Sequence, residues 1–344
     1  LEVEGLTKDC RGRRGMLDLL RRRPAPVVRA VEQLSLEIVA GETLGIVGES
    51  GCGKSTLARC LVRLHRPDGG VLRFRGQDVA ALSESARRGF NPKVQMVFQD
   101  PYSSLNPRMT VGAALAEALA VHQVVPPGEI GARVAALLEL VHLSAEAAER
   151  YPHEFSGGQR QRVGIARALA VEPSVLIADE PVSALDVSVQ AQIVNLFLEL
   201  QERLGLTLVF ITHDLRLVRH LAHRVAVMYL GRIVEVGPTA ELFAAPRHPY
   251  TQGLLKAVPQ MRFLEGGAGE GRARRAAAIT GELPSPLAPP PGCGFHPRCP
   301  IATPACSAEV PGLAPRGGRW PVACLRAGES VPAADGRVPT AVAP

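Results

Sequence analysis

The sequence lacks any charge-free apolar run of the roughly 18 residues that a membrane-spanning helix needs, although 46% of its 344 residues are hydrophobic. Its N-terminus also lacks the pattern of a secretory signal peptide. These two absences predict a soluble, cytoplasmic protein. The length exceeds that of one typical domain and predicts about two domains, with ample sequence for a buried core.

Aromatic residues are scarce, at 4% of the chain, and none precedes Phe74. The net charge of +6 is modest for this length, but arginines are dense near the N-terminus. The arginines of this cluster are Arg11, Arg13, Arg14, Arg21, Arg22 and Arg23. Such a cluster can contact nucleic acid or lipid headgroups, but we favour a solvated loop, because a charge run usually faces water.

Short β-branched segments alternate with amphipathic segments from about residue 31 to residue 240. This alternation predicts an α/β fold, in which helices cover a largely parallel core sheet. The clearest strands are residues 43–47, 94–98, 175–178 and 206–211. Between the second and third of these, about 70 residues show apolar positions at helical spacing, notably 111–121 and 130–143. We expect a helical subdomain over about 100–172.

A glycine-rich segment directly follows the first of these strands and precedes a helix that we expect to begin at Ser55 or Thr56. It reads Gly48-Glu49-Ser50-Gly51-Cys52-Gly53-Lys54-Ser55, which matches the P-loop pattern. The glycines let backbone N–H groups point at phosphate, and Lys54 supplies positive charge to the β- and γ-phosphate oxygens. The Ser55 hydroxyl is a ligand for Mg²⁺. This pattern predicts a site for nucleotide and Mg²⁺ that includes Thr56.

Two acidic residues, Asp179 and Glu180, end the apolar strand that begins at Val175. Burial alone disfavours this arrangement, because unpaired carboxylates are costly to desolvate. At the carboxyl end of a parallel strand, Asp179 can hold Mg²⁺ through water. Glu180 can then orient and polarise the water that attacks the γ-phosphate.

A Ser-Gly-Gly turn that leads into a helix lies between these two motifs. The segment Ser156-Gly157-Gly158-Gln159, preceded by Phe155, resembles the signature sequence of ABC ATPases. A helix N-terminus of this kind is an anion site. The resemblance implies that it closes over the γ-phosphate held by the opposite subunit.

The remaining hallmark residues of that family follow in order along the chain. By resemblance, Gln99 contacts Mg²⁺ and the attacking water and senses the membrane subunits. Asp186, in Ser183-Ala184-Leu185-Asp186, communicates across the dimer. His213, in Phe210-Ile-Thr-His-Asp214, touches the γ-phosphate. The resemblance therefore implies ATP hydrolysis with Lys54, Gln99, Glu180 and His213 as the catalytic set, and Mg²⁺ held by Ser55, Gln99 and Asp179.

Four longer segments narrow the resemblance, over roughly residues 30–325, to the ATP-binding subunits of dipeptide and oligopeptide importers, especially the second member of the ATPase pair. They are Phe98-Gln-Asp-Pro-Tyr-Ser-Ser-Leu-Asn-Pro-Arg108, Asp179-Glu-Pro-Val-Ser-Ala-Leu-Asp-Val-Ser188, His248-Pro-Tyr-Thr251 and Gly292-Cys-Gly-Phe-His-Pro-Arg-Cys299. The implied substrate is a di- or oligopeptide, with nickel or another solute as the alternative.

This resemblance also implies partners. They are a second ATPase subunit, two transmembrane permease subunits and, indirectly, an extracytoplasmic solute-binding protein. We expect a heterodimer of ATPases, with a homodimer as the alternative, bound peripherally to the cytoplasmic face of the cell membrane. No nucleic acid is expected, because the insert between the P-loop and the signature is short and the chain has one cassette. A silent scaffold is disfavoured, because Lys54, Glu180 and the signature glycines are all retained.

The sequence departs from the family pattern at the residue that contacts the adenine base. The family stacks the base on an aromatic residue just before the second strand, near Ala25, where this chain has none. An arginine plane also stacks on aromatic faces. We therefore hypothesise that Arg22, Arg23 or Arg29 stacks on the base.

We predict four segments along the chain. Residues 1–260 form the nucleotide-binding domain, 261–291 a Pro- and Gly-rich linker, 292–325 a small Cys-rich extension and 326–344 a flexible tail. Cys293, Cys299, Cys306 and Cys324 lie in the extension. In a cytosolic protein such crowding suggests metal. The segment has little apolar surface to fold around, so a metal centre could supply its organising energy. The wide gaps favour a [4Fe–4S] cluster, as some of these importers carry, over Zn²⁺, two disulfides or free thiols.

Overall fold

The computed structural model describes residues 1–12, 27–79, 82–100, 105–257 and 281–331. Ten strands and ten α-helices are recognised within these ranges. The strands are β1 (Glu2–Arg11), β2 (Val27–Glu37), β3 (Thr43–Val47), β4 (Gly69–Phe74), β5 (Gln77–Asp78), β6 (Val94–Val97), β7 (Val175–Asp179), β8 (Thr207–Thr212), β9 (Arg224–Tyr229) and β10 (Arg232–Pro238). The helices are α1 (Lys54–Leu61), α2 (Glu84–Phe90), α3 (Val111–Val121), α4 (Ile130–Leu140), α5 (Gly157–Leu169), α6 (Val187–Leu204), α7 (Leu215–Leu221), α8 (Thr239–Ala244), α9 (Pro249–Ala257) and α10 (Pro304–Ala308).

The central sheet has six strands in the order β10-β9-β3-β8-β7-β6. The pairs β9–β3, β3–β8, β8–β7 and β7–β6 are parallel, whereas β10 is antiparallel to β9. Every residue of β3, β7 and β8 is buried. A parallel strand covered on both faces reads as a continuous apolar run, which is why the sequence predicted these strands. The α/β fold class is confirmed.

A second, antiparallel sheet has the order β2-β1-β4-β5. Residues alternate between buried and exposed along β2, because one face of this sheet packs on a core and the other meets solvent. Its buried side chains, including Leu6, Leu34 and Leu72, share a core cluster with α1 and with one face of the central sheet. The arrangement places β2 beside the loop that follows β3.

The predicted insertion is helical: α3 and α4 pack on α5 between β6 and β7. Leu115, Leu119, Leu137 and Leu138 are fully or almost fully buried in one cluster with α5 and α6. Helix α3 has the predicted bounds, and α4 ends at Leu140, three residues before the predicted 143.

The C-terminal segment packs on the central sheet through a third core cluster. Phe295, Trp320 and Val322 are buried there against Tyr229 and Tyr250. The chain near Val322 also extends the sheet at β10, since the N–H of Ala323 donates to the carbonyl of Val234 at 2.8 Å. The sequence suggested a segment with little apolar surface to fold around, whereas in the structure its apolar side chains are buried against β9, β10 and α9.

No helix within the described ranges is both long enough and apolar enough to cross a membrane.

Candidate active site

The loop between β3 and α1 forms a closed cradle. The ammonium group of Lys54 donates to the carbonyl oxygens of Gly48 at 2.8 Å and Glu49 at 3.0 Å, which holds the loop around the lysine. Gly53 has φ +106°, and a Cβ there would lie 2.0 Å from the carbonyl oxygen of Ala30. Only glycine fits this close approach between the loop and β2.

Ser55 and Asp179 are in contact beside this loop. The Ser55 hydroxyl in the first turn of α1 donates to a carboxylate oxygen of Asp179 at 3.0 Å. Asp179 ends β7, is 2% exposed, and burial raises the pKa of its carboxyl group. Hydroxyl and carboxylate oxygens are the hard ligands that Mg²⁺ prefers, so this pair fits that ion.

Glu180 lies where four parallel strands end. One carboxylate oxygen lies 3.8 Å from the Lys54 ammonium group, and the other lies 3.5 Å from His213 Nδ1 and 3.4 Å from Gln99 Nε2. These groups follow β3, β8 and β6, whose carboxyl ends meet at one edge, as crevice sites in α/β sheets do. The structure therefore brings together the four residues predicted as catalytic.

The backbone of Glu180 is itself unusual. Its φ of +45° lies in the left-handed region, which non-glycine residues seldom adopt. The N–H of Glu180 donates to the carbonyl of Ile211 at 2.9 Å, which anchors this conformation to β8. Backbone strain held by its surroundings is concentrated at functional sites.

The Ser-Gly-Gly turn forms the N-terminus of α5. The Ser156 hydroxyl accepts from the N–H of Gln159 at 3.3 Å, and the Gln159 side-chain oxygen accepts from the N–H of Ser156 at 3.1 Å. This reciprocal capping box fixes where the helix begins. Gly158 packs against Val189, 2.4 Å from an added Cβ, so a larger residue does not fit there. The capping hydrogen bonds of Ser156 and Gln159 thus stay within their own turn. Asp186 is the exposed N-cap residue of α6, the helix that contains Val189.

Two contacts of the P-loop were missing from the predicted site. The hydroxyl of Tyr250 in α9 accepts from the N–H of Glu49 at 3.0 Å. The Arg298 guanidinium forms a two-pronged ion pair with the Glu49 carboxylate, at 2.8 and 3.0 Å. No sequence pattern pairs residues 201 and 249 positions apart; the only signal was that both belong to segments typical of the importer resemblance.

The iron–sulfur prediction is wrong. Cys293, Cys299, Cys306 and Cys324 line one cavity, but its volume is only about 10 Å³, roughly that of one water molecule. Among the residues that the structure describes, no group of three or more His, Cys, Asp or Glu side chains could hold a metal ion. Zn²⁺ meets the same objections.

Three arginines are candidates for stacking on the adenine base. Arg22 and Arg23 lie outside the described residues. Arg29 lies on β2 and pairs with Glu32 at 2.9 Å and with Asp9 at 3.5 Å. Its guanidinium is therefore already engaged by two carboxylates.

Comparison with known proteins agrees with this geometry. Residues 31–183 match the family described as ABC transporter, and residues 234–306 match the C-terminal region of oligopeptide/dipeptide transporters.

The chain is 52% identical to the probable peptide ABC transporter ATP-binding protein y4tS of Sinorhizobium fredii, over 94% of this chain and 89% of that protein. It is 52% identical to the oligopeptide transport ATP-binding protein AppF of Bacillus subtilis, over 83% of this chain and 85% of that protein. Among solved structures, a dimeric ATP-binding cassette in a post-hydrolysis state bound to ADP and Pi is 28% identical, with a TM-score of 0.60. That match covers 69% of this chain and 98% of the cassette.

Proposed function

The chain belongs to the ATP-binding proteins of ABC transporters, and we propose that it is the ATPase subunit of a bacterial-type importer of di- or oligopeptides. The ATPase activity follows from the family. One observation carries the assignment of the site: Lys54, Gln99 and His213 converge on the carboxylate of Glu180. The names of the two relatives described above support a peptide as the transported solute.

The side chains at the carboxyl ends of the parallel strands have different roles in phosphoryl transfer. The N–H groups of residues 48–56 and the Lys54 ammonium bind and orient the β- and γ-phosphates. Glu180 holds the attacking water in line and accepts its proton, while Gln99 and His213 fix the position of that carboxylate and contact the water and the γ-phosphate. Ser55, Asp179 and Gln99 would supply the oxygen ligands of a Mg²⁺ ion, and the ion would neutralise phosphate charge when bound.

Two cassettes complete each site in this proposal. The N-terminus of α5 presents backbone N–H groups and the positive end of a helix dipole, which suits a γ-phosphate held by the opposite subunit. Ser156, Gly157, Gly158 and Gln159 would make that contact, and Asp186 would relay it across the dimer. The dimeric state of the related cassette supports this arrangement. The opposite subunit is a second ATPase of the same family, in a heterodimer.

Two permease subunits dock beside Gln99 in this proposal, and an extracytoplasmic binding protein delivers the peptide to them. A cavity of about 270 Å³ lies between β6, α3 and α5, lined by Val97, Phe98 and Val121 among others. Its walls combine these apolar side chains with polar ones such as Gln95, Glu117 and Arg167, a mixed surface that suits an amphipathic helix from a membrane subunit. In this proposal the docking surface also includes residues 102–108, of which 105–108 lie within the described part of the chain. The chain is thereby held at the cytoplasmic face of the membrane.

Reconstitution tests the proposal. We expect the chain, reconstituted in liposomes with its companion ATPase, two permease subunits and the binding protein, to import labelled di- or oligopeptides when ATP is supplied. Peptide should stimulate ATP hydrolysis several-fold, and the Lys54→Ala variant should abolish both. ATP-dependent uptake of nickel without peptide uptake would overturn the peptide assignment and leave the ATPase assignment intact.

A further inference from the structure

The C-terminal segment reaches the phosphate-binding loop through one side chain. Arg298 donates to both carboxylate oxygens of Glu49, at 2.8 and 3.0 Å. Its side chain is only 7% exposed and that of Glu49 is 26% exposed. Two-pronged arginine–carboxylate pairs are stronger and more directional than single contacts, and partial burial limits screening by water.

The position of Arg298 is itself fixed by packing. It donates to the hydroxyl of Tyr229 at 3.3 Å, and its guanidinium lies 5.9 Å from the centre of the same ring. Tyr229 contacts Tyr250 and Phe295, whose ring centres lie 4.7 and 5.4 Å away. Because Tyr250 also accepts from the N–H of Glu49, both the backbone and the side chain of this P-loop residue are held by the C-terminal region.

Glu49 carries the one negative charge within the segment 48–55, which otherwise has Lys54 as its only charged residue. A free carboxylate in a loop built to bind a triphosphate repels the ligand, and the low dielectric near a partly buried site strengthens that repulsion. A neighbouring cation that pairs with the carboxylate removes most of this cost. The hydrogen bonds that Arg298 donates to Glu49 also raise the pKa of the guanidinium, so the cation persists.

We propose that Arg298 is a positioning residue of the ATP site: it neutralises Glu49 and holds the P-loop, so that the C-terminal segment sets the affinity for ATP. This role goes beyond the proposed import of peptides and depends only on ATP binding and hydrolysis. The segment that the sequence suggested as a metal-binding extension thereby acts on nucleotide through an ion pair.

Arg298→Gln tests the proposal in the full chain assembled with its transporter. We expect the KM for ATP to rise about tenfold, with kcat within about twofold of the wild type, because the unpaired Glu49 repels the phosphates. Glu49→Gln should keep or lower KM, since the remaining cation attracts phosphate. The double variant Arg298→Gln/Glu49→Gln should return KM to within about twofold of the wild type.

Arg319→Gln is the matched control, because Arg319 also belongs to the C-terminal segment and pairs with a glutamate, Glu241, but is 83% exposed. We expect no change in KM for this variant. Direct titration of ATP into each purified full chain should give the same order of affinities as KM.

A purely structural role for Arg298 gives a different result. Arg298→Gln would then lower kcat and the melting temperature together, and the double variant would be at least as impaired as the single one. That outcome, or an unchanged KM in Arg298→Gln, overturns the proposal. If Arg298→Gln does not fold, Arg298→Lys serves instead: the retained charge should keep KM within about threefold of the wild type, and a larger rise overturns the electrostatic explanation.

Discussion

At the residue scale, we expect substitution of Glu180 to impair hydrolysis of ATP without impairing its binding. Glutamine has the same shape but is a far weaker base than a carboxylate. We expect Glu180→Gln to bind ATP with near wild-type affinity while turnover falls by about 10²-fold or more. Equilibrium ATP binding and steady-state phosphate release on the assembled transporter measure the two effects. Near-normal hydrolysis would remove Glu180 from its proposed role.

His248 is the residue whose protonation should govern stability in mild acid. It is fully buried, its Nδ1 accepts from the N–H of Tyr250 at 3.0 Å, and burial lowers its pKa to about 3. Because the unfolded state binds a proton below pH about 6.5 and the folded state does not, stability is complete above that pH and falls as the pH drops toward 3. The loss from this group approaches about 1.4 kcal/mol per pH unit.

His248→Asn keeps an acceptor for Tyr250 and does not titrate. Urea unfolding at pH 7.0 and pH 5.5 should therefore show a larger loss of unfolding free energy in the wild type than in this variant. Equal losses in both proteins would mean that His248 is not the titrating group.

At the scale of elements, the N-terminus of α5 combines helix capping with the proposed contact to the γ-phosphate. Ser156→Ala removes a capping hydroxyl and should cost about 1 kcal/mol of unfolding free energy. Thr110 caps α3 in the same way, accepting from the N–H of Ala113 at 3.3 Å, and is the matched control. Both variants should be destabilised to a similar extent in chemical unfolding, but only Ser156→Ala should also lower the rate of ATP hydrolysis. A parallel loss of activity in Thr110→Ala would assign the effect to stability alone.

At the scale of the whole molecule, a buried carboxylate joins the C-terminal segment to the central sheet. Glu235 is fully buried and accepts from the N–H groups of Arg247 and His248 and from the indole N–H of Trp320, at 2.9 to 3.0 Å. Trp320 is the single tryptophan of the chain, so its fluorescence reports on this junction. We expect its unfolding transition to coincide with that of far-UV circular dichroism, because one core cluster spans the junction.

Glu235→Gln should weaken this junction. An amide NH₂ replaces one accepting oxygen and faces a donor, which costs about 2 kcal/mol in a buried site. Glu241→Gln, at an exposed glutamate, should be nearly neutral. A fluorescence transition in the wild type that precedes the circular dichroism transition would show that the segment unfolds independently of the sheet.

The amino-acid sequence alone determined that the protein binds and hydrolyses a nucleotide and that its fold is α/β. Its P-loop, acidic pair and Ser-Gly-Gly turn are local patterns, in which a strand, a turn and a helix dictate the geometry over about ten residues. For the same reason β3 and α3 have the predicted bounds, while the helix expected at Ser55 or Thr56 begins at Lys54. Local periodicity locates the body of an element better than its ends.

Only the tertiary structure decided how Glu180, Gln99 and His213 meet, and what holds the C-terminal segment. The spacing of Cys293, Cys299, Cys306 and Cys324 suggested metal, because a sequence does not show which apolar residues will find partners elsewhere in the chain. Trp320 and Phe295 find theirs on β9, β10 and α9, and Arg298 finds Glu49 across 249 residues. Burial and charge pairing at such separations depend on the packed fold, so the link between this segment and the P-loop becomes visible only there.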